Sequence, residues 1–134
     1  MRILNPDNVV KPASAYAQGV VHNLAGERLV ISGQIGVAPD GGVANGLEAQ
    51  ADQAWANVLA VMAAAGFERR HLVRAIVYVT VPGQVGVYRR ARDRALDGHL
   101  AAMTYIEVAG LAAPEFLIEI EAEAVKEACP GCWR

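Results

Sequence analysis

The chain has 134 residues, enough for one domain whose core needs no disulfide or metal to hold it together. With 54% hydrophobic and 19% charged residues it is not a disordered chain, and a net charge of −2 argues against a surface built to bind nucleic acid. No uncharged apolar run approaches the roughly 18 residues of a membrane span, and Met1-Arg2-Ile3-Leu4-Asn5-Pro6 lacks the apolar stretch of a secretory signal, so a cytoplasmic protein without a membrane partner is expected.

Residues 16–22 and 28–35 read as two strands joined by a turn near Ala25-Gly26. A loop through Pro39-Asp40-Gly41-Gly42 follows. Leu47, Ala51, Ala54, Trp55, Val58, Leu59 and Met62 then recur at helical spacing, with Asn45 placed to cap the helix and Gly66 to end it. That stripe is the inner face of a helix lying on a sheet, and Trp55 belongs to the core. Residues 72–80 are the clearest strand. Residues 84–97 form a second, more charged helix, where Arg89, Arg90, Arg92 and Arg94, interrupted by Asp93, read as a mostly solvated face. His99 follows it, a weak acid–base candidate beside the more ordinary role of a helix-end histidine.

Residues 103–109 and 116–125 form two closing strands. In the last, Phe116, Ile118, Ile120, Ala122 and Ala124 face one way and Leu117, Glu119, Glu121 and Glu123 the other. Residues 1–125 are thus one α+β domain: a mixed sheet with two helices on one face. The other face needs cover, and a mean hydropathy of +0.23, high for so small a chain, points to a buried subunit interface. Residues 126–134 form a tail. Its Cys129 and Cys132 have the spacing of a redox pair or half a zinc site. No helix follows to stabilise the first thiolate, and a zinc site would need two more ligands. Two thiols in a frayed tail are therefore expected, with no metal, and Trp133 packs there or stays exposed.

Five segments in order resemble one family. They are Ala15-Tyr16-Ala17-Gln18-Gly19-Val20, Ile31-Ser32-Gly33-Gln34-Ile35, Asn57-Val58 with Ala64-Ala65-Gly66, Arg74-Ala75-Ile76-Val77-Tyr78-Val79, and Glu107-Val108 with Ile118-Glu119-Ile120-Glu121-Ala122. Together, over about residues 12–125, they are similar to the RidA/YjgF family. The resemblance implies a chorismate-mutase-like fold, a homotrimer, and a small-molecule cleft between each pair of subunits. It also implies a reactive-intermediate deaminase that hydrolyses imines and enamines to a carbonyl compound and ammonia without metal or cofactor.

Such a site needs a cation for the substrate carboxylate, a held water and a proton route to nitrogen. The resemblance assigns the water to Glu119 and places Tyr16, Ser32 and Gly33 in the cleft. Taken without it, Tyr16 is an ordinary strand tyrosine, Ser32-Gly33 a turn and Glu119 part of a solvated acidic face. Glu107 either lines the cleft or makes a rim salt bridge. The family's cationic arginine corresponds to Met103, in Ala101-Ala102-Met103-Thr104. Methionine cannot pair with a carboxylate, and losing one such contact costs about 2–5 kcal/mol. Three readings stay open: another arginine substitutes, with Arg89 and Arg92 as candidates; the substrate is altered, with Met103 an apolar wall; or the trimer binds a metabolite without turnover.

Overall fold

A computed structural model describes residues 1–129. Its main sheet has the order β3 (Gly26–Ile35), β6 (Ile118–Glu127), β4 (Leu72–Val79) and β5 (Ala102–Glu107). β6 runs antiparallel to both neighbours, while β4 and β5 are parallel. The parallel pair requires a crossover, which α2 (Val85–Leu96) supplies. α1 (Leu47–Ala64) makes the connection from β3 to β4. β6 carries its pairing to Glu127, past the expected end of the domain at 125, because Lys126 and Glu127 pair with Glu27 and Gly26.

The alternation expected of β6 holds: Ile118, Ile120, Ala122 and Ala124 are buried, and the glutamates between them face the other side. The buried set joins Ala75, Val77 and Val79 of β4 and Ala54, Trp55, Val58 and Met62 of α1 in one core. The opposite sheet face is open. Val30 there is 62% exposed and Ile106 39%.

Two boundary expectations fail. Residues 16–22 do not form a hairpin with the next strand. Only β2 (Gly19–Val21) is extended, and it pairs with β1 (Arg2–Leu4), which the sequence reading left out. Ile3 stands opposite Val20, Leu4 opposite Gly19 and Arg2 opposite Val21. Asn45 does not cap α1; Gly46 occupies the N-cap with no side-chain bond. The other end is as expected. Gly66, at φ 78°, donates to Ala63 O and Phe67 to Met62 O, a Schellman closure that favours glycine.

The arginine cluster of α2 does not share one face. Helical spacing turns Arg90 and Arg94 outward and Arg89 and Arg92 toward β5. Arg94 Nη2 lies 2.9 Å and 3.0 Å from the two oxygens of Asp52 and 3.2 Å from Glu48 on α1. The hydrogen bond from Arg90, then that from Arg94, holds the Glu48 carboxyl below its usual range. A lowered folded value means this contribution is present above the ordinary glutamate range and lost as pH falls through the folded value. Arg94→Ala is expected to lower the melting temperature only slightly, since the pairs are exposed. The difference from wild type should narrow in high salt and in acid, which melting curves across pH would check.

Candidate functional site

Five of the seven expected site residues are divided between two separate hollows, Gly33 and Glu119 in one and Tyr16, Arg89 and Met103 in the other. The first, about 340 Å³, lies on the open sheet face and is lined by Gly33, Tyr78, Glu119, Glu121 and the Val108–Leu111 turn, through Val108, Gly110 and Leu111. β6 presents Glu119 directly opposite Tyr78 of β4. On the other side, the β3–β6 register shifts between Ile31 and Gln34, so Ser32 and Gly33 sit in a bulge. The Glu119 side chain fills the space that bulge leaves. A Cβ on Gly33 would stand 1.9 Å from Glu119 Oε1 and 2.7 Å from its carboxyl carbon. Gly33 is thus the residue over which the carboxylate lies. The Tyr78 hydroxyl donates to Glu121 Oε1, and that bond pushes the phenol pKa up. Glu121 is thereby engaged, whereas among the described residues no hydrogen bond or ion pair holds the Glu119 carboxylate.

The second hollow, about 220 Å³, lies at the β5 edge and is lined by Ser14, Tyr16, Val85, Tyr88, Arg89, Arg92, Met103, Thr104 and Tyr105. Tyr16 reaches it because Ala17 N donates to Ala101 O at 2.9 Å, laying this segment beside the start of β5. Met103 packs against α2, with its sulfur 3.8 Å from the Tyr88 hydroxyl. The Tyr88 and Tyr105 rings stand 5.4 Å apart. Burial pushes the pKa of both phenols up, so both are neutral donors at physiological pH.

Arg92 is the correction to the solvated-face reading: it is only 3% exposed. Its Nε and Nη2 donate to Asp93 Oδ1 at 3.0 and 2.9 Å, and Nη1 reaches Ser14 Oγ at 3.4 Å. Arg89 lines the same hollow from the preceding turn. Glu107 lines neither hollow; its carboxylate accepts the Gly83 N–H at 2.9 Å and holds the turn before α2. Ser32 is exposed beside Gly33, its carbonyl accepting from Gln34. His99 Nε2 lies 2.7 Å from Leu72 O, so this nitrogen carries the proton and ties α2's exit to β4.

One supporting residue escaped the sequence reading. Gln50, buried on α1, donates to Ala44 O and Glu115 O and accepts from Leu117 N, two residues before Glu119. A glutamine beside the apolar stripe carries no sequence signal of burial. Among the described residues, no group of three or more His, Cys, Asp or Glu could hold a metal, and no helix is long and apolar enough to cross a membrane. Cys129 is exposed; Cys132 and Trp133 lie outside the described residues.

The family model for Endoribonuclease L-PSP matches residues 7–126. The chain belongs to the RidA/YjgF family. The 2-iminobutanoate/2-iminopropanoate deaminase of Salmonella typhimurium is 34% identical over 124 residues, covering 90% of this chain and 94% of that protein. A conserved Rid-family protein of unknown function from Yersinia pestis, YyfB, has a similar structure: TM-score 0.83 at 32% identity, over 93% of this chain and 98% of that one. Escherichia coli TdcF, crystallised with bound serine, superposes with TM-score 0.71 at 27% identity, over 95% and 100%. The RidA/YjgF fold expected from the sequence, a mixed sheet with two helices, is the fold of these relatives.

Proposed function

We propose that this RidA/YjgF chain hydrolyses a small imine or enamine in clefts between the subunits of a homotrimer. The observation that carries the reading is the Glu119 carboxylate lying over Gly33 with no partner among the described residues. An acceptor held against backbone in a hollow can orient a water. The second hollow holds groups suited to the rest of a ligand. Packing the open sheet face of one copy against the β5 edge of the next would join the two.

In the hydrolysis the water oxygen bonds to the imine carbon, and the C=N π electrons move to nitrogen. Glu119 takes a water proton and passes it to that nitrogen. The carbinolamine then gives its hydroxyl proton to nitrogen by the same route, the C–N bond breaks, and a carbonyl compound and ammonia leave. The kinship with an iminobutanoate deaminase supports this reaction class.

Generating 2-iminobutanoate from threonine with a dehydratase tests it. Oxo-acid release should be faster with the protein than without; a rate equal to spontaneous hydrolysis sinks the reading. A trimeric mass in solution is expected alongside, and a stable monomer would leave the cleft half-built. The second reading, a metabolite-binding trimer without turnover, is favoured by Met103 at the cationic position. It predicts ligand binding with no acceleration.

A further inference from the structure

Met103 removes a positive charge from β5, yet the hollow around it contains two others. Arg92 is buried there, and a buried guanidinium is tolerated only when its donors and charge are answered. Here the answers are partial. Three of its five N–H groups are engaged, two of them on one oxygen of Asp93 and the third on Ser14 at a long 3.4 Å. Asp93 is more than half exposed, so water screens its charge. Arg89, one turn back, has no ion pair or hydrogen bond among the described residues. Finally, the Tyr105 hydroxyl is buried in this region without a partner among the described residues.

Spare guanidinium donors, an uncompensated cation and an orphaned hydroxyl line one hollow. A ligand that answers all three is an anion with at least two acceptor oxygens. Phosphate would also accept, but the kinship with a 2-iminobutanoate/2-iminopropanoate deaminase favours a carboxylate on the carbon next to the reacting one. We propose that Arg92 and Arg89 of α2, with the Tyr105 hydroxyl, hold the carboxylate of a 2-imino acid. Arg92 is the fixed fork, set by Asp93 and by its place 5.9 Å from the Tyr88 ring centre. Arg89 adds a second positive charge beside it. Met103, packed against Tyr88, becomes part of the wall behind them. This deepens the hydrolysis reading and rests on the same cleft.

Calorimetric binding of 2-oxobutanoate and of its uncharged amide to the full-length protein tests the proposal without needing turnover. Arg92→Met and Arg89→Met should each weaken the oxo acid by about ten-fold or more and leave the amide within about two-fold. Asp93→Asn, at an exposed position, should tighten the oxo acid, because the competing carboxylate is gone. Met103→Arg in the Arg92→Met background should restore binding. If Arg92→Met misfolds, the Arg89 and Asp93 variants still decide. Oxo-acid binding that is unchanged in Arg89→Met and Asp93→Asn overturns the proposal, as does equal loss of acid and amide. Carboxylate binding that follows these arginines in a protein without turnover would sink the hydrolysis reading alone. Turnover of uncharged imines, indifferent to Arg92 and Arg89, would sink this one alone.

Discussion

Gly33→Ala is expected to leave the protein folded and to lower kcat/KM for imine hydrolysis by about 100-fold. Gly33 does not sit at positive φ, so alanine fits its backbone. The position is exposed. The added methyl group would meet the carboxyl end of Glu119 at 1.9–2.8 Å. A glutamate side chain can swing away from that collision, so stability should change by no more than about 1 kcal/mol. The carboxylate cannot stay where it was. Displacing a water-holding group by about 1 Å costs on the order of 10²-fold in rate. Glu119→Gln should give a loss of similar or greater size by a different route, since the amide keeps the shape and cannot take the proton. Melting curves and steady-state rates on both variants check this. Full turnover in Gly33→Ala would show that the carboxylate's place over the bulge is irrelevant to the chemistry.

The largest loss of stability from a polar substitution is expected at Gln50. Gln50→Leu preserves volume but leaves Ala44 O, Glu115 O and Leu117 N without the partner they have now. A group left unmatched where water cannot reach it costs about 1–3 kcal/mol; Glu115 lies at the surface and Ala44 and Leu117 are half-buried, so a total loss of about 2–4 kcal/mol is expected. The bonds also tie α1 to the loop that precedes it and to the segment leading into β6, close to Glu119. Gln50→Glu should fare little better, because a carboxylate can accept from Leu117 but cannot donate to the two carbonyls. Urea unfolding gives the measurement, as a midpoint shift at unchanged slope. A midpoint equal to that of wild type would mean that water replaces the amide at no cost.

These two positions show where the sequence was readable and where it was not. The stripe of α1 and the alternation of β6 were legible because burial there follows a period, and period survives without coordinates. Glu119 was distinguishable from Glu121 and Glu123 only through family resemblance; the structure adds Gly33 beneath it. Tyr16 was expected within a strand but lies before one, held to β5 by a neighbour's backbone. Arg92 was misread for a physical reason: four arginines in six positions look solvated, and only the crossover of α2 onto β5 turns one pair inward. Gln50 was silent because its partners lie 6, 65 and 67 residues away. β1 was missed because three residues are too few to show a pattern.

The two hollows belong to different kinds of structure. Glu119 and Gly33 stand on paired strands, where any shift of register would flip side chains across the sheet. Arg89, Arg92 and Val85 stand on a crossover helix joined to that sheet only by packing and loops. A change at Val85 or Arg89 alters the chemistry of one hollow without touching the pairing that places the other. If the proposed site is right, the groups that recognise the ligand can be changed without disturbing the pairing that sets the Glu119 carboxylate over the bulge.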